Sequence, residues 1–513
     1  MDSTDPDTRG NAAEPSSTFR STLSQVLGAT AFGFVIMGVG LIFGMPTIVI
    51  GELMKPNATT IHGVAFDDYS ASWFGSIIFI SQPIGSLTSG FLQDLFGRKR
   101  CMLVVTIPQM IGWLLLYSAD SVPWLYTAVT VMGLSVGFME APVLSYIGEI
   151  TEPRLRGVLS SIAGIFLNVG IMLECYIGAL TDWRSLALIS ALGPVLIFIL
   201  LSQVPESPAW LVYKGRVSDA ERALCWLRGW VDPIHVSKEL SSLVAHVDQR
   251  NVRIVKTKDQ DYHQVPSHDL GTQKRAKRSE TMQNIHHFLQ PATQRPLKLI
   301  LIYFFCSHCA SLIGVRPFLV QIFDSLHFPI DSKWVVVIVG TLQVLGSIGC
   351  MLVMKLLGKR GLSFVSMSIC VICAIAISVY VVLGINPPWV PMILFCVLFF
   401  AAQLGIGSIP WMLISEVFPI QGRGIAGGVS AACGYSFIFI VTKFYINLEQ
   451  WFSMWGALLV YAAVGFWGII YLYFCLPETE GKTLQDIEPY FLTKRERERL
   501  EKSHSIKNLP VEI

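Results

Sequence analysis

Charged residues are scarce in this chain of 513 residues. Only 14% of its residues are Asp, Glu, Lys or Arg, against roughly 25% in ordinary soluble domains, whereas 52% are hydrophobic. A chain with so much apolar surface and so little charge cannot bury that surface in one aqueous core. We therefore expect lipid to surround most of it.

Cysteine gives no sign of a disulfide framework, and no metal-binding pattern is visible. The 11 Cys lie mostly inside long apolar segments, where they act as small apolar fillers. Cys306, His308 and Cys309 lack the spacing of a zinc site and a fourth ligand. The spans also bring together no nucleophile, base and orienting group. We expect no metal, no cofactor, no enzyme activity, no nucleic-acid partner and no obligate protein partner.

The apolar residues form blocks of about 20 residues, the length that a helix needs to cross a hydrocarbon core of roughly 30 Å. This pattern predicts an all-α membrane protein with twelve transmembrane helices. We place them near residues 26–50, 71–93, 101–118, 123–148, 157–180, 185–204, 297–325, 333–357, 362–384, 388–414, 425–446 and 450–475.

A long polar segment divides the spans into two groups of six, and the loops of the two groups repeat. Gly97-Arg98-Lys99-Arg100 is echoed by Gly358-Lys359-Arg360, and Pro205-Glu206-Ser207-Pro208 by Pro477-Glu478-Thr479-Glu480. Matches that keep order and spacing indicate a duplication, as in transporters whose halves move about a midplane site. The predicted domains are an N-terminal tail (1–25), a six-helix bundle (26–204), a linker with short helices (205–296), a second bundle (297–475) and a C-terminal tail (476–513).

Lys and Arg are concentrated in the short loops on one side of the predicted membrane. Because basic residues are retained on the cytoplasmic side, both termini are predicted to be cytoplasmic. The chain has one Asn-x-Ser/Thr acceptor, Asn57-Ala58-Thr59, and it falls in the first loop on the predicted outside. We therefore expect glycosylation at Asn57.

Acidic and basic residues recur at equivalent loop positions in both halves. The retention of basic residues on the cytoplasmic side explains the Lys and Arg of this set. It does not explain the acidic residues, because Asp and Glu contribute little to orientation. We interpret the set as ion pairs that hold the two bundles together on the cytoplasmic side and break when the bundles separate. The alternative is that they merely mark helix ends. The predicted gate residues are Asp94, Arg98, Glu149, Arg156, Glu206, Glu416, Arg423 and Glu478.

Polar side chains inside the spans are costly in lipid and tend to face the bundle interior or a wet cavity. For the amides, an interhelical hydrogen bond without a ligand is an equal alternative. Trp411 follows a stretch rich in Gly and Pro that is typical of broken helices at transport sites. The predicted substrate-binding residues are Gln82, Asn168, Gln343, Gln403 and Trp411. Further intramembrane polar residues are Gln109, Glu140, Glu174 and His308, and a structural role is favoured for both glutamates.

The loop motifs also carry a family resemblance. Asp94-Leu95-Phe96-Gly97-Arg98-Lys99, together with the two Pro-Glu motifs, resembles the sugar porter family of the major facilitator superfamily over nearly all of residues 26–490. Asn168-Val169-Gly170-Ile171 and Ile409-Pro410-Trp411 look most like the facilitated trehalose transporters of insects. The resemblance implies the major facilitator fold and a plasma-membrane carrier that moves a sugar, trehalose or a hexose, by alternating access.

Two departures from the family concern the cargo. The first span has no Asp, where proton-coupled sugar porters usually carry one, so the resemblance implies a passive uniporter. Sugar porters usually bind sugar through Gln-Gln and Asn in the seventh span, where this chain reads from Phe304 to Leu312, and the eleventh-span Asn is Gly434. Two alternatives stay open: a transporter of another small organic solute, and a sugar sensor that does not transport.

Overall fold

The computed structural model describes residues 15–59, 63–150, 153–256, 288–384, 388–418, 423–482 and 487–491. Within these ranges the regular secondary structure is helical throughout. Nine helices in the described part are long and apolar enough to cross a membrane. Two of them each contain two spans joined at a tight turn, and Asp68–Phe96, with 29 residues, completes the predicted set of twelve.

The spans follow one another in two groups of six. The first group consists of Pro15–Leu53, Asp68–Phe96, Arg98–Tyr117, Val122–Ile150, Pro153–Leu180 and Trp183–Gln203. The second group begins with Pro291–Ala310, which continues through the 3₁₀ turn Ile313–Phe318 into Leu319–Ser325. It goes on with Ser332–Val382, which turns at Gly358, then Trp389–Leu404 with Ile409–Val417, and Arg423–Cys475, which turns at Ser453.

The same tight turn recurs between spans two and three and between spans eight and nine. Gly97 (φ 99°) and Gly358 (φ 70°) form these turns with backbone angles that favour glycine. A Cβ at Gly97 would collide with the carboxylate of Glu206, and a Cβ at Gly358 with that of Glu478. The positive φ and the nearby carboxylate are therefore two separate reasons for glycine at each turn. The repeat in the sequence is also a repeat in the three-dimensional structure.

Close helix packing inside the first half depends on facing glycines. Gly85 on span two lies against Gly137 on span four, and Gly40 on span one lies against Gly170 on span five. A Cβ at any of these positions would meet backbone atoms of the facing helix. Small residues let helices approach in this way where no water drives their association.

Three short helices of the linker pack on one end of the first half. They are Pro208–Tyr213, Val217–Leu227 and Pro233–Lys256, and we call this end of the molecule the linker face and the other end the opposite face. Ser24 Oγ donates to the Leu227 carbonyl at 2.7 Å, and Gly229 lies against the Arg20 backbone. This docking extends the first span back to Pro15, well before the predicted start at residue 26.

Two spans of the second half are broken. Span ten unwinds between Leu404 and Ile409, as its glycines predicted, and the Ser366 hydroxyl binds the freed backbone of Ala401 and Ile406. Span seven breaks at Leu312, whose φ of 52° is left-handed, although the sequence predicted one continuous helix over 297–325. The break was missed because neither Gly nor Pro occupies the residue that takes the unusual angle.

Candidate functional site

Near the middle of the spans, the two halves meet in a small polar cluster. The Tyr435 hydroxyl on span eleven donates to Glu140 Oε1 on span four at 3.1 Å, which is a hydrogen bond from one half to the other. Gln82 on span two approaches the same hydroxyl, and Ser86 lies beside the Glu140 carboxylate. Glu140 and Tyr435 are half-buried and Gln82 is fully buried, so the cluster lies inside the molecule at the interface of the halves.

Aromatic rings continue this cluster into the second half. The Trp411 ring lies 5.1 Å from Tyr435 and 4.8 Å from Phe304, measured between ring centroids. Phe304 packs over Gly434, so the two positions that departed from the sugar porter pattern face each other as an apolar contact. We refer to Gln82, Glu140, Trp411 and Tyr435 as the seam cluster.

Two of the remaining predicted substrate residues lie at a second contact between the halves. Asn168 Nδ2 donates to Ser347 Oγ across the interface at 2.9 Å, and that hydroxyl donates to the Gln343 carbonyl at 3.0 Å. Both Asn168 and Gln343 are buried. Gln403 lies instead within the second half, against Gly346 and Gly407. The structure thus brings Gln82 and Trp411 into one cluster, and it places Asn168 against Ser347, whose hydroxyl bonds to the backbone carbonyl of Gln343.

Three other intramembrane polar residues have neighbours inside one half. Gln109 Nε2 lies 3.7 Å from Met139 Sδ, and Glu174 Oε2 accepts a 2.7 Å hydrogen bond from Ser190. The His308 ring stacks on Phe304 of its own span. Glu174 therefore fits the structural role expected for it, whereas Glu140, for which the same role was favoured, reaches across to the second half.

An ion pair between the halves closes the opposite face. Lys333 Nζ at the start of span eight lies 2.5 Å from Glu52 Oε1 at the end of span one and also donates to the Gly178 carbonyl. The other carboxylate oxygen of Glu52 accepts from the Trp183 backbone at 3.0 Å. A surface cavity of about 580 Å³ lies over the pair. Neither Lys333 nor Glu52 was singled out from the sequence, so this contact was missed.

A second cation strengthens the same closure. Lys443 Nζ on span eleven donates to Ser72 Oγ at 2.5 Å and lies over the Trp73 and Tyr69 rings, 4.4 and 4.7 Å from their centroids. Cation–π contacts of this kind strengthen where water is excluded. The segment after the break in span seven adds a further link, because Gln321 donates to the Ile50 carbonyl at 2.8 Å.

At the linker face, Glu149 and Glu416 of the predicted gate form ion pairs with spans of their own half. Arg98 pairs with Glu149 at 3.0 Å, and Ser207 donates to the other oxygen of Glu149. In the second half, Lys359 pairs with Glu416 at 2.6 Å, and Thr479 donates to the other oxygen of Glu416 at 2.8 Å. The expectation that these acids join one bundle to the other is not met in this conformation, because their partners lie on neighbouring spans of the same bundle.

The remaining acids of the predicted gate also act within their own half. The Glu206 carboxylate accepts from the backbone amides of Arg98 and Lys99 at 3.0 and 2.9 Å, and Glu478 accepts in the same way at the start of span nine. A carboxylate at a helix N-terminus satisfies amides that lack a partner and complements the helix dipole. Asp94 pairs with Arg98 at 3.8 Å. The side chains of Arg156 and Arg423 lie outside the described residues.

Taken together, these contacts make a polar and aromatic cluster between two half-molecules that are fastened at the opposite face. Such an arrangement can hold a small polar molecule by hydrogen bonds and ring contacts, and it can release that molecule when the halves move. In the described part of the chain, no group of three His, Cys, Asp or Glu residues is placed to hold a metal ion.

Solved structures of major facilitator transporters are similar to this one. The xylose transporter XylE of E. coli in its inward-open conformation matches with a TM-score of 0.68 and 17% identity, covering 90% of this chain and 99% of that chain. The peptide transporter POT in complex with sulfate matches with a TM-score of 0.58 and 14% identity, covering 90% and 96%. Likeness to carriers of such different cargo establishes the major facilitator fold, which is the predicted fold.

Curated relatives include facilitated trehalose transporters of insects. The protein of Culex quinquefasciatus is 29% identical over 478 residues, covering 91% of this chain and 86% of the relative. The protein of Drosophila grimshawi is 28% identical over 91% of this chain but only 47% of the relative, so the chain spans about half of that protein.

The family model described as sugar (and other) transporter matches residues 21–491. That range includes all twelve spans, the linker and the Pro-Glu motifs of both halves. The protein therefore belongs to the sugar (and other) transporter family, a family of membrane transporters and not of enzymes.

Proposed function

We propose that this protein is a facilitative sugar transporter that works by alternating access, with trehalose or a hexose as cargo. The trehalose transporters among its relatives support this cargo. The sugar enters from one face, binds between the halves and leaves at the other face down its gradient. No covalent step, cofactor, nucleic acid or obligate protein partner takes part.

The seam cluster is the observation that carries this proposal. Glu140 and Tyr435 come from different halves, yet they share a hydrogen bond next to the Trp411 ring. Any rocking of one half against the other opens or closes this contact, so a solute bound there is coupled to the motion. Among the described residues, the ion pair that joins the halves, Lys333 with Glu52, lies on one side of the cluster, as an alternating mechanism requires.

The linker face is proposed to be cytoplasmic and the membrane to be the plasma membrane. The basic loops of the sequence support this orientation. It places Asn57, which is exposed between spans one and two on the opposite face, outside the cell.

The predicted gate residues are proposed to control closure of the linker face. Glu149 and Glu416 each join a basic side chain to a hydroxyl of the same half, which keeps the ends of the spans together as one body. Arg156 and Arg423, in the first turns of spans five and eleven, are proposed to pair with acids of the facing half when that face closes.

Uptake of labelled solutes into proteoliposomes tests the function. We expect saturable uptake of trehalose or a hexose, unaffected by collapse of a proton gradient, because the proposed mechanism moves sugar without a coupled ion. The assay includes other organic solutes and a matched set of protein-free vesicles. Saturable uptake of a non-sugar solute alone, or of no solute, would overturn the proposal, and the latter would favour the sensor.

The gate is tested by Glu149→Gln and Glu416→Gln. Each change removes the charge of one partner of a partly buried ion pair. Hydrogen bonds to charged groups contribute roughly 1.5–3 kcal/mol, so we expect flux to fall about tenfold. Asp219→Asn is the matched control, since Asp219 pairs with Arg216 and Arg222 in the linker, away from the seam, and should keep its flux. Normal flux in both glutamine variants, at equal amounts of inserted protein, counts against the gate.

Orientation is tested at Asn57. In expressing cells, a glycosidase should lower the apparent mass of the wild-type protein, because an extracellular Asn-x-Thr acceptor receives a glycan. Asn57→Gln should show the lower mass without treatment. A wild-type protein that reaches the cell surface with no glycan, and whose termini react with impermeant antibodies from outside, would reverse the proposed topology.

A further inference from the structure

Two buried oxygen atoms of the seam cluster have no hydrogen-bond partner. They are Gln82 Oε1 and Glu140 Oε2, and both belong to the first half of the molecule. Buried polar atoms are almost always paired, because leaving one unpaired costs free energy. Both atoms are hydrogen-bond acceptors, so the group that suits them is a donor.

The other oxygen of the Glu140 carboxylate, Oε1, already has a hydrogen-bond partner. Glu140 Oε1 accepts from the Tyr435 hydroxyl, which fixes the carboxylate at the interface and leaves Oε2 as its remaining acceptor. Glu140 as a whole is half-buried, whereas its Oε2 atom is buried at the interface of the halves. Glu174 differs in its location: it is fully buried inside one half, where Oε2 accepts from Ser190 and Oε1 is also unpaired.

The second half contributes aromatic surface to this place in the molecule. Trp411 lies against both Tyr435 and Phe304, and Phe304 covers Gly434. The side of the cluster formed by the second half is therefore suited to the C–H face of a ring, while the first half offers acceptors. A pyranose has both features, since its hydroxyl groups donate and its ring faces are apolar.

We propose that the first half supplies the hydrogen bonds that bind the sugar, with Glu140 and Gln82 accepting from substrate hydroxyls and Trp411 and Tyr435 packing on the ring. This inference rests on the proposed function and names the residues that set its specificity. It assigns to spans two and four the role that the resemblance gave to amides of the seventh span, which are absent from Phe304 to Leu312.

Analogues of the transported sugar test this assignment in proteoliposomes with the full-length protein. A hydroxyl that donates to Glu140 cannot be replaced by hydrogen or by fluorine, because neither substituent donates. We therefore expect at least one position of the sugar at which the deoxy and fluoro analogues lose uptake equally, about tenfold or more. A site built from donors would instead accept the fluoro analogue.

Glu140→Gln should raise the KM for the sugar about tenfold. It should also reduce the loss of uptake of the deoxy and fluoro analogues at that position, since the new amide group is itself a hydrogen-bond donor. Gln82→Met, which keeps the length of the side chain, should do the same at another hydroxyl. Glu174→Gln is the matched control: it also neutralises a buried carboxylate in a span, but away from the seam, and its analogue profile should equal that of the wild type.

The possible outcomes separate this inference from the proposed function. One outcome is that the wild type transports sugars, but Glu140→Gln and Gln82→Met lower the uptake of all analogues by one common factor. The role of these residues is then structural, and this inference fails while the proposed function stands. If Glu140→Gln abolishes uptake of a quaternary ammonium such as choline and leaves sugars unchanged, the carboxylate binds a cation and the inference is wrong. Absence of saturable sugar uptake by the wild type removes both proposals.

Discussion

Hydrocarbon cannot hydrogen-bond, and this constraint organises the polar groups of the protein. A polar side chain in a span must find a partner on another helix, on its own backbone or in a wet cavity. Here several buried or half-buried polar side chains meet at the interface between the halves: Glu140 with Tyr435, Asn168 with Ser347, and Lys443 with Ser72. The interface between the halves is thus rich in hydrogen bonds.

Duplication gave the two halves one framework, and divergence gave them different tasks. In both halves a glycine turn receives a glutamate carboxylate at the start of the next helix, as Gly97 does with Glu206 and Gly358 with Glu478. The two spans that break at residues with non-helical backbone angles, seven and ten, by contrast belong to the second half. The unpaired acceptors Gln82 and Glu140 belong to the first half. At the seam cluster, the first half therefore presents unpaired acceptors, and the second half presents aromatic rings beside the break in span ten.

Much of the architecture could be predicted from the sequence, because lipid makes apolar block length and loop charge strong signals. The twelve spans, the two halves and the break before Trp411 follow from such patterns. Contacts that depend on distant parts of the chain could not be read this way. Lys333 lies nearly three hundred residues from Glu52, and nothing local marks them as partners. Glu140 was judged structural because its own span offers no basic partner, and its actual partner, Tyr435, lies in the other half.

The central claim is that the halves move relative to each other about the seam and that Glu52 and Lys333 hold them together at the opposite face. The distance between the halves at that face tests this claim. Spin labels on Tyr117→Cys and Ile330→Cys, both exposed at that face in different halves, report the distance, with the unsubstituted protein measuring any labelling of its native cysteines. We predict two populations of molecules, one with a short and one with a long distance. The population with the long distance should increase in Lys333→Gln, and the ratio of the two populations should change when the transported sugar is added. One unchanged distance in all of these samples would contradict the account.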